Sequence, residues 1–209
     1  VTFVDERGQK TGETYTPSLV GLLASCNVQR GATNVLCANL KDVVVPEDPD
    51  DVVDTGKFIL IRVDDEVRVG VDVNSLTTVD GKTKTEDMKY IETVEAMDLM
   101  RDDISNTFRK DWLGQYRNSR ANQMLFIASV NEYFRQLSEE NVLDPDYSNR
   151  ADIDVSAQRN AWIGSGKAEA AVWTDDQVKA TPYKRTVFLY GDVKILGSMV
   201  NLEFLINLM

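Results

Sequence analysis

Few residues in this chain could do catalytic or ligand-binding chemistry, and their spacing argues against most of it. Cys26 and Cys37 are the two cysteines, and histidine is absent. Their separation matches no structural-zinc spacing, and no imidazole is available to complete a zinc site. They read as free thiols of a reducing compartment, with a single disulfide as the other reading. The missing histidine also removes the usual general base near neutral pH, and with it Ser–His and Cys–His catalysis. Asp102 and Asp103 are a carboxylate pair by sequence, but neighbours on a helix point in different directions, so they read as solvated surface charge. The stretch DVVVPEDPDDVVD at 42–54 is rich in acid but lacks the ligand order and the glycine of an EF-hand loop, so it reads as a solvated connector or a strand with an acidic loop. GSG at 164–166 is too short for a phosphate cradle, and GxGxxG, Walker A and GxSxG are all missing. The expectation is a protein that is no enzyme, with no cofactor and no metal.

Charge points the same way. The net charge is −11, which would repel the phosphates of a nucleic acid. No apolar run approaches the roughly 18 residues of a membrane span, and no signal peptide is visible. Neither nucleic acid nor membrane is therefore expected as a partner. One segment reverses the sign: RKDWLGQYRNSR at 109–120 sets Arg109, Lys110, Arg117 and Arg120 against Asp111 alone. It reads either as a solvated helix–helix junction or as a contact patch for an acidic partner surface.

The elements that must carry these residues follow from periodicity. VTFV at the start reads as a strand, and TPSLVGLLASC as a short apolar helix with Thr16 as N-cap and Pro17 at the first helical position. KFILIRVDDEVRVGVDV at 57–73 alternates like a hairpin turning at Asp64–Glu66, and Asp80–Gly81 marks a further turn. Met88, Ile91, Val94, Met97, Met100, Ile104 and Phe108 recur at helical steps; a core-facing stripe is a better reading than a methionine box for a cofactor. A second long helix is predicted over about 120–140, with Ala121, Met124, Leu125, Ala128, Phe134 and Leu137 as its apolar face. A strand at 152–155, a helix capped by Ser156, a short helix capped by Thr174 and a strand of nine to twelve residues in RTVFLYGDVKIL follow. Strands, then two long helices, then strands again make an α+β layout.

The end of the chain, SMVNLEFLINLM, alternates with period two. Val200, Leu202, Phe204, Ile206 and Leu208 fall on one face. Burying five such side chains at about 1.5–3 kcal/mol each yields a gross gain of about 8–15 kcal/mol. Ordering ten residues costs roughly 1–2 kcal/mol apiece, so one such strand is marginal alone. From the pattern by itself it is the last strand of the chain's own sheet.

Longer stretches carry a resemblance. GKFILIRVDDEVRVGVDVNSLTTV, then YIETVEAMDLMRDDISNTFRKDWLGQYRNSRANQMLFIASVNEYFRQLSEENVL, resemble the tail sheath proteins of contractile-tailed bacteriophages. YTPSLVGLLAS looks like the helix before their hairpin. SAQRNAWIGSGK and VFLYGDVKILGSMVNLEFLINL look like the closing part of sheath proteins from phages of Gram-positive bacteria or phage-tail-like particles. No single motif decides it; their order and spacing do, over nearly the whole chain.

The resemblance implies a fold like the carboxy-terminal domain of a tail sheath, a small mixed sheet flanked by two long helices. It implies that residues 1–209 are the carboxy-terminal part of a longer protein whose amino-terminal arm and outer domains are absent here. It implies a structural subunit of the virion tail, assembled in the host bacterial cytoplasm as a homo-oligomer of stacked hexameric rings around a tail tube. Baseplate and tail terminator proteins would be further partners, and contraction would drive the tube through the target envelope without a cofactor. Residues 199–209 would then be an arm added to a neighbour's sheet, with Gly197–Ser198 as its hinge. Arg109, Lys110, Arg117 and Arg120 would face the tube. The competing readings are another self-assembling virion or adaptor protein using strand exchange, and a carboxylate-based enzyme.

Overall fold

The computed structural model describes residues 2–206. The chain divides into two compact units: Val1–Asp98 with Gly197–Met209, and Leu99–Leu196.

The first unit begins with an antiparallel hairpin of β1 (Thr2–Asp5) and β2 (Gly8–Thr11), and β3 (Asp42–Val43) pairs on the other side of β1. Helix α1 (Thr16–Ser25) follows a 3₁₀ turn at Gly12–Tyr15. That turn already sets Tyr15 in helical conformation, so Thr16 is the first helical residue rather than the cap, and Pro17 is the second helical residue rather than the first. The acidic stretch corrects the sequence reading more fully. Asp48 accepts the Asp51 N–H, Pro49 starts the helix and Asp50 and Asp51 lie at its positive end, so 49–54 forms helix α2 (Pro49–Asp54). The expected hairpin is present, shorter than predicted: β4 (Leu60–Val63) pairs β5 (Glu66–Val69) around Asp64, whose φ is +53°.

These pieces enclose one apolar cluster of Phe3, Tyr15, Cys37, Leu40, Val43, Leu60, Val67 and Val69. Leu19 and Leu22 of α1 pack against it only from the rim, and no residue of this apolar helix is fully buried. Both cysteines are free thiols; burial raises the pKa of each, Cys37 lying within the core.

Helix α3 (Ile91–Thr107) begins in the first unit and ends in the second. Of its predicted stripe, Met100 is buried, while Met97 is 39% exposed. A π turn, Phe108–Trp112, closes it. Helix α4 (Arg120–Glu139) is capped by Ser119 and buries Gln123, Phe126, Ile127, Val130, Phe134 and Leu137. The predicted face is therefore rotated. Ala121, Met124, Leu125 and Ala128 are exposed, because the aromatic residues of the π turn pack on Phe126 and fix which side of the helix faces inward.

Strand β6 (Arg150–Ile153) is tied to α4 by Asn131, whose side chain accepts the Ala151 N–H and donates to the Ala151 carbonyl. It pairs antiparallel with β7 (Leu189–Asp192), which is four residues rather than nine to twelve. Helix α5 (Val155–Gly164) is capped by Asp154, two residues before the expected Ser156. Helix α6 (Asp175–Ala180) carries the expected Thr174 cap, completed by Gln177 into a capping box. The α+β layout holds, with the strands of the described residues shared among three small antiparallel sheets.

Candidate assembly surfaces

Two sets of residues singled out in the sequence are surface features, and each is built by its own unit. The first is the terminal segment. Among the described residues, 199–206 form no ladder and no hydrogen bond with the rest of the chain. Leu202 is 89% exposed and Phe204 79%, with Met199, Leu205 and Ile206 also open to solvent, while Val200 at 39% is more covered than the others. The expected packing of this strand on the chain's own sheet is thus not found. Leu208 lies outside the described residues. An apolar run exposed on both faces leaves unmet burial worth about 1.5–3 kcal/mol per large side chain. It is also an aggregation hazard unless something covers it.

The root of this segment is built differently. The Ser198 N–H donates to Glu92 Oε1 at 2.7 Å. Its hydroxyl stands 2.6 Å from Glu92 Oε2 and 3.0 Å from the Arg30 carbonyl oxygen. Beside Glu92 lies Asp72, 1% exposed, which accepts from the Ala32 N–H and the Thr33 hydroxyl. Burial pushes the Asp72 carboxyl up against the pull of those donors, and the Glu92 charge adds to the rise. Both carboxylates close on Gly31. A Cβ there would stand 2.3 Å from Glu92 Oε2, and φ is +67°, so the site requires glycine twice over. Nothing in the sequence pointed to this pair: the acids are twenty positions apart, each inside an unremarkable segment. Their oxygens are occupied by backbone and hydroxyl donors, which suits anchoring and not proton transfer to a substrate.

The second feature is the basic junction. Arg109 and Lys110 ride on the π turn, closed by Leu113 N–H donating to the Phe108 carbonyl at 2.9 Å, and Gly114 with φ +77° ends it. Arg117 follows in the connecting loop, and Arg120 is the first residue of α4. All four are exposed, and none forms an ion pair among the described residues. A cation at the positive end of α4 contributes nothing favourable to that helix. Trp112 packs in tilted contact with Tyr116 and Phe126, ring centroids 4.6 and 5.1 Å away, and Leu113 and Tyr116 are exposed beside the cations.

Sequence reasoning missed the residues that extend this face. The Asn118 amide donates toward the carbonyls of Tyr183, Lys184 and Thr186, at 3.1, 3.3 and 3.1 Å. Its carbonyl accepts from the Gln123 side chain at 2.7 Å. Asn118 thereby draws a loop some sixty-five residues away onto the junction, and Arg185 lines the same crevice as Arg117. Only the basic pair in YKRT hinted at it, and no local pattern could place that pair here. Asp102 and Asp103 part company as expected, but only Asp102, paired with Arg101, is exposed surface charge; Asp103 is half-buried and accepts the Tyr133 hydroxyl at 2.7 Å. Among the described residues no group of three or more acidic or cysteine side chains could hold a metal ion. No described helix is long and apolar enough to cross a membrane.

Comparison with known proteins gives these surfaces a setting. Residues 83–208 match the family model of the phage tail sheath C-terminal domain. The chain is 24% identical over 200 residues to the tail sheath protein of Clostridium phage phiCD119, covering 95% of this chain and 55% of that protein. Its fold is similar to that of the sheath tail protein from Listeria innocua, with a TM-score of 0.63 at 15% identity over 93% of this chain and 44% of the other. The sheath tail protein from Desulfitobacterium hafniense gives the same TM-score, 0.63, at 18% identity over 73% and 37%. A chain of the anti-feeding prophage baseplate also gives 0.63, at 11% identity over 99% and 53%. The chain thus spans about half the length of the relatives it matches.

Proposed function

Since the chain belongs to the phage tail sheath C-terminal domain family, a family of structural subunits and not of enzymes, we propose that it is the carboxy-terminal part of a contractile sheath subunit. In this reading copies stack as hexameric rings around a tail tube in the virion tail, after assembly in the host bacterial cytoplasm. Contraction of the sheath then drives the tube through the target envelope, with baseplate and terminator proteins at its two ends.

One observation carries the reading: an apolar terminal segment, alternating in sequence, with no place on its own chain among the described residues. A second copy supplies what is missing. Adding residues 199–209 as a strand to a neighbour's sheet pairs the backbone and buries Val200, Leu202, Phe204, Ile206 and Leu208. One such strand is marginal, but a lattice in which every subunit gives and receives one makes each later contact intramolecular. Gly197–Ser198 is the hinge at the arm's root, free to turn once the hydrogen bonds of Ser198 to Glu92 and the Arg30 carbonyl open. The basic face of Arg109, Lys110, Arg117 and Arg120, with Arg185 beside Arg117, is set against an acidic tube surface.

Electron microscopy of the concentrated full-length protein tests this. Intact protein is expected to form sheath tubes, and protein lacking residues 199–209 is expected to form none. Tubes of ordinary length from the truncated protein would refute strand donation.

A further inference from the structure

Ser198 is the last described residue that the fold holds. Met199 beside it is fully exposed, and residues 199–206 make no hydrogen bond among the described residues. Glu92, by contrast, is 8% exposed. A carboxylate so far removed from water must be met by donors. Ser198 meets both of its oxygens, through N–H to Oε1 and hydroxyl to Oε2. Asp72 is already occupied by Ala32 and Thr33, so it does not compete for Ser198. Gly31 admits the Glu92 carboxylate to the backbone where any Cβ would collide with it.

We propose that Glu92 is a latch for the terminal arm. Closed on Ser198, it fixes the point and direction in which the arm leaves its unit, and the arm turns at Met199. Opened, it hands the turn back to Gly197. The proposal rests on the donated-arm reading. A strand whose root is fixed explores less space than one whose root is loose, and its effective concentration at a neighbour's edge is higher. The latch thus positions the arm for donation without touching the partner.

The chemistry predicts a graded series. The Ser198 hydroxyl has one proton and two acceptors within reach, Glu92 Oε2 and the Arg30 carbonyl. In Glu92→Gln, the side-chain oxygen accepts the Ser198 N–H and the amide N–H₂ donates to the Ser198 hydroxyl, which is left to donate to Arg30. That variant keeps the latch. Glu92→Ala removes it, and Ser198→Ala, which deletes a single hydroxyl and leaves the core alone, weakens it.

The test uses full-length protein and two measurements. One is amide hydrogen exchange at Ser198 below the concentration of assembly; the other is the critical concentration for sheath polymerisation. Glu92→Ala is expected to speed exchange at Ser198 roughly tenfold and to raise the critical concentration about threefold or more. Ser198→Ala should fall between, and Glu92→Gln should match the parent in both. If Glu92→Ala does not fold, Ser198→Ala against Glu92→Gln decides the matter alone. Parent values for Ser198→Ala and Glu92→Ala overturn the latch. Deletion of residues 199–209 in the same assay separates the two ideas. If deletion blocks assembly and the latch variants do not disturb it, the latch falls and strand donation stands. If the deleted protein assembles normally, donation falls and takes the latch with it.

Discussion

Single residues in this protein show how far local chemistry can be read from a sequence. Thr174 announced a helix start and delivers a full capping box, because a cap depends on residues three apart. Glu92 and Asp72 announced nothing, because their meeting at Gly31 depends on the path of the chain between them. Tyr15 is a comparable case with a measurable consequence. It packs on Phe3 at 5.1 Å in the core and donates its hydroxyl to Asn39 at 3.0 Å. Burial first, and the neighbouring Cys37 second, push its phenol up to about 12. Between the ordinary value of 10.0 and that value, the folded state keeps a proton that the unfolded state releases, so stability falls as pH rises through this window. The loss attributable to Tyr15 is about 1–3 kcal/mol. Urea unfolding at pH 9 and pH 11 (chosen as roughly one unit either side of the unperturbed phenol) checks it: the parent should weaken more steeply than Tyr15→Phe. Equal slopes would show that the phenol is not held in its protonated form.

At the scale of elements, existence was easier to read than orientation. Both long helices lie near where apolar periodicity placed them, yet the buried face of α4 is turned from the predicted one. Met124 and Leu125 scored as core by type, while Gln123 was passed over; Gln123 is buried because it answers Asn118. Periodicity ranks residues by polarity and cannot see a neighbour that accepts from an amide. The strands were overcalled for a related reason. RTVFLYGDVKIL has strand composition throughout, but only Leu189–Asp192 finds a partner in β6. The basic junction is likewise larger than its sequence segment, because Asn118 recruits the loop of Lys184 and Arg185. If this face meets an acidic tube, Arg117→Glu with Arg185→Glu should weaken co-sedimentation with the tube protein roughly tenfold at low salt, with the difference fading as ionic strength approaches about 1 M. Binding indifferent to both reversals would move the tube contact to another face.

At the scale of the whole molecule, composition and motifs lead no further than an acidic α+β protein without catalytic apparatus. The order of the hairpin, the two helices and the closing segment carried the resemblance, and the family match bears it out over 83–208. The terminal segment was legible as a strand but not as an unpaired one, since alternation specifies a ladder without saying whose. Its exposed side chains show no partner on its own chain among the described residues, and the proposal assigns the ladder to another copy. Photo-crosslinking from position 204 tests this most directly. Full-length protein carrying a photoreactive residue in place of Phe204 is prepared in light and heavy isotope forms, mixed, assembled into sheath and irradiated. The account predicts abundant crosslinked peptides that join a light chain to a heavy one. Crosslinks confined to pairs of the same isotope would place the arm on its own chain and contradict it.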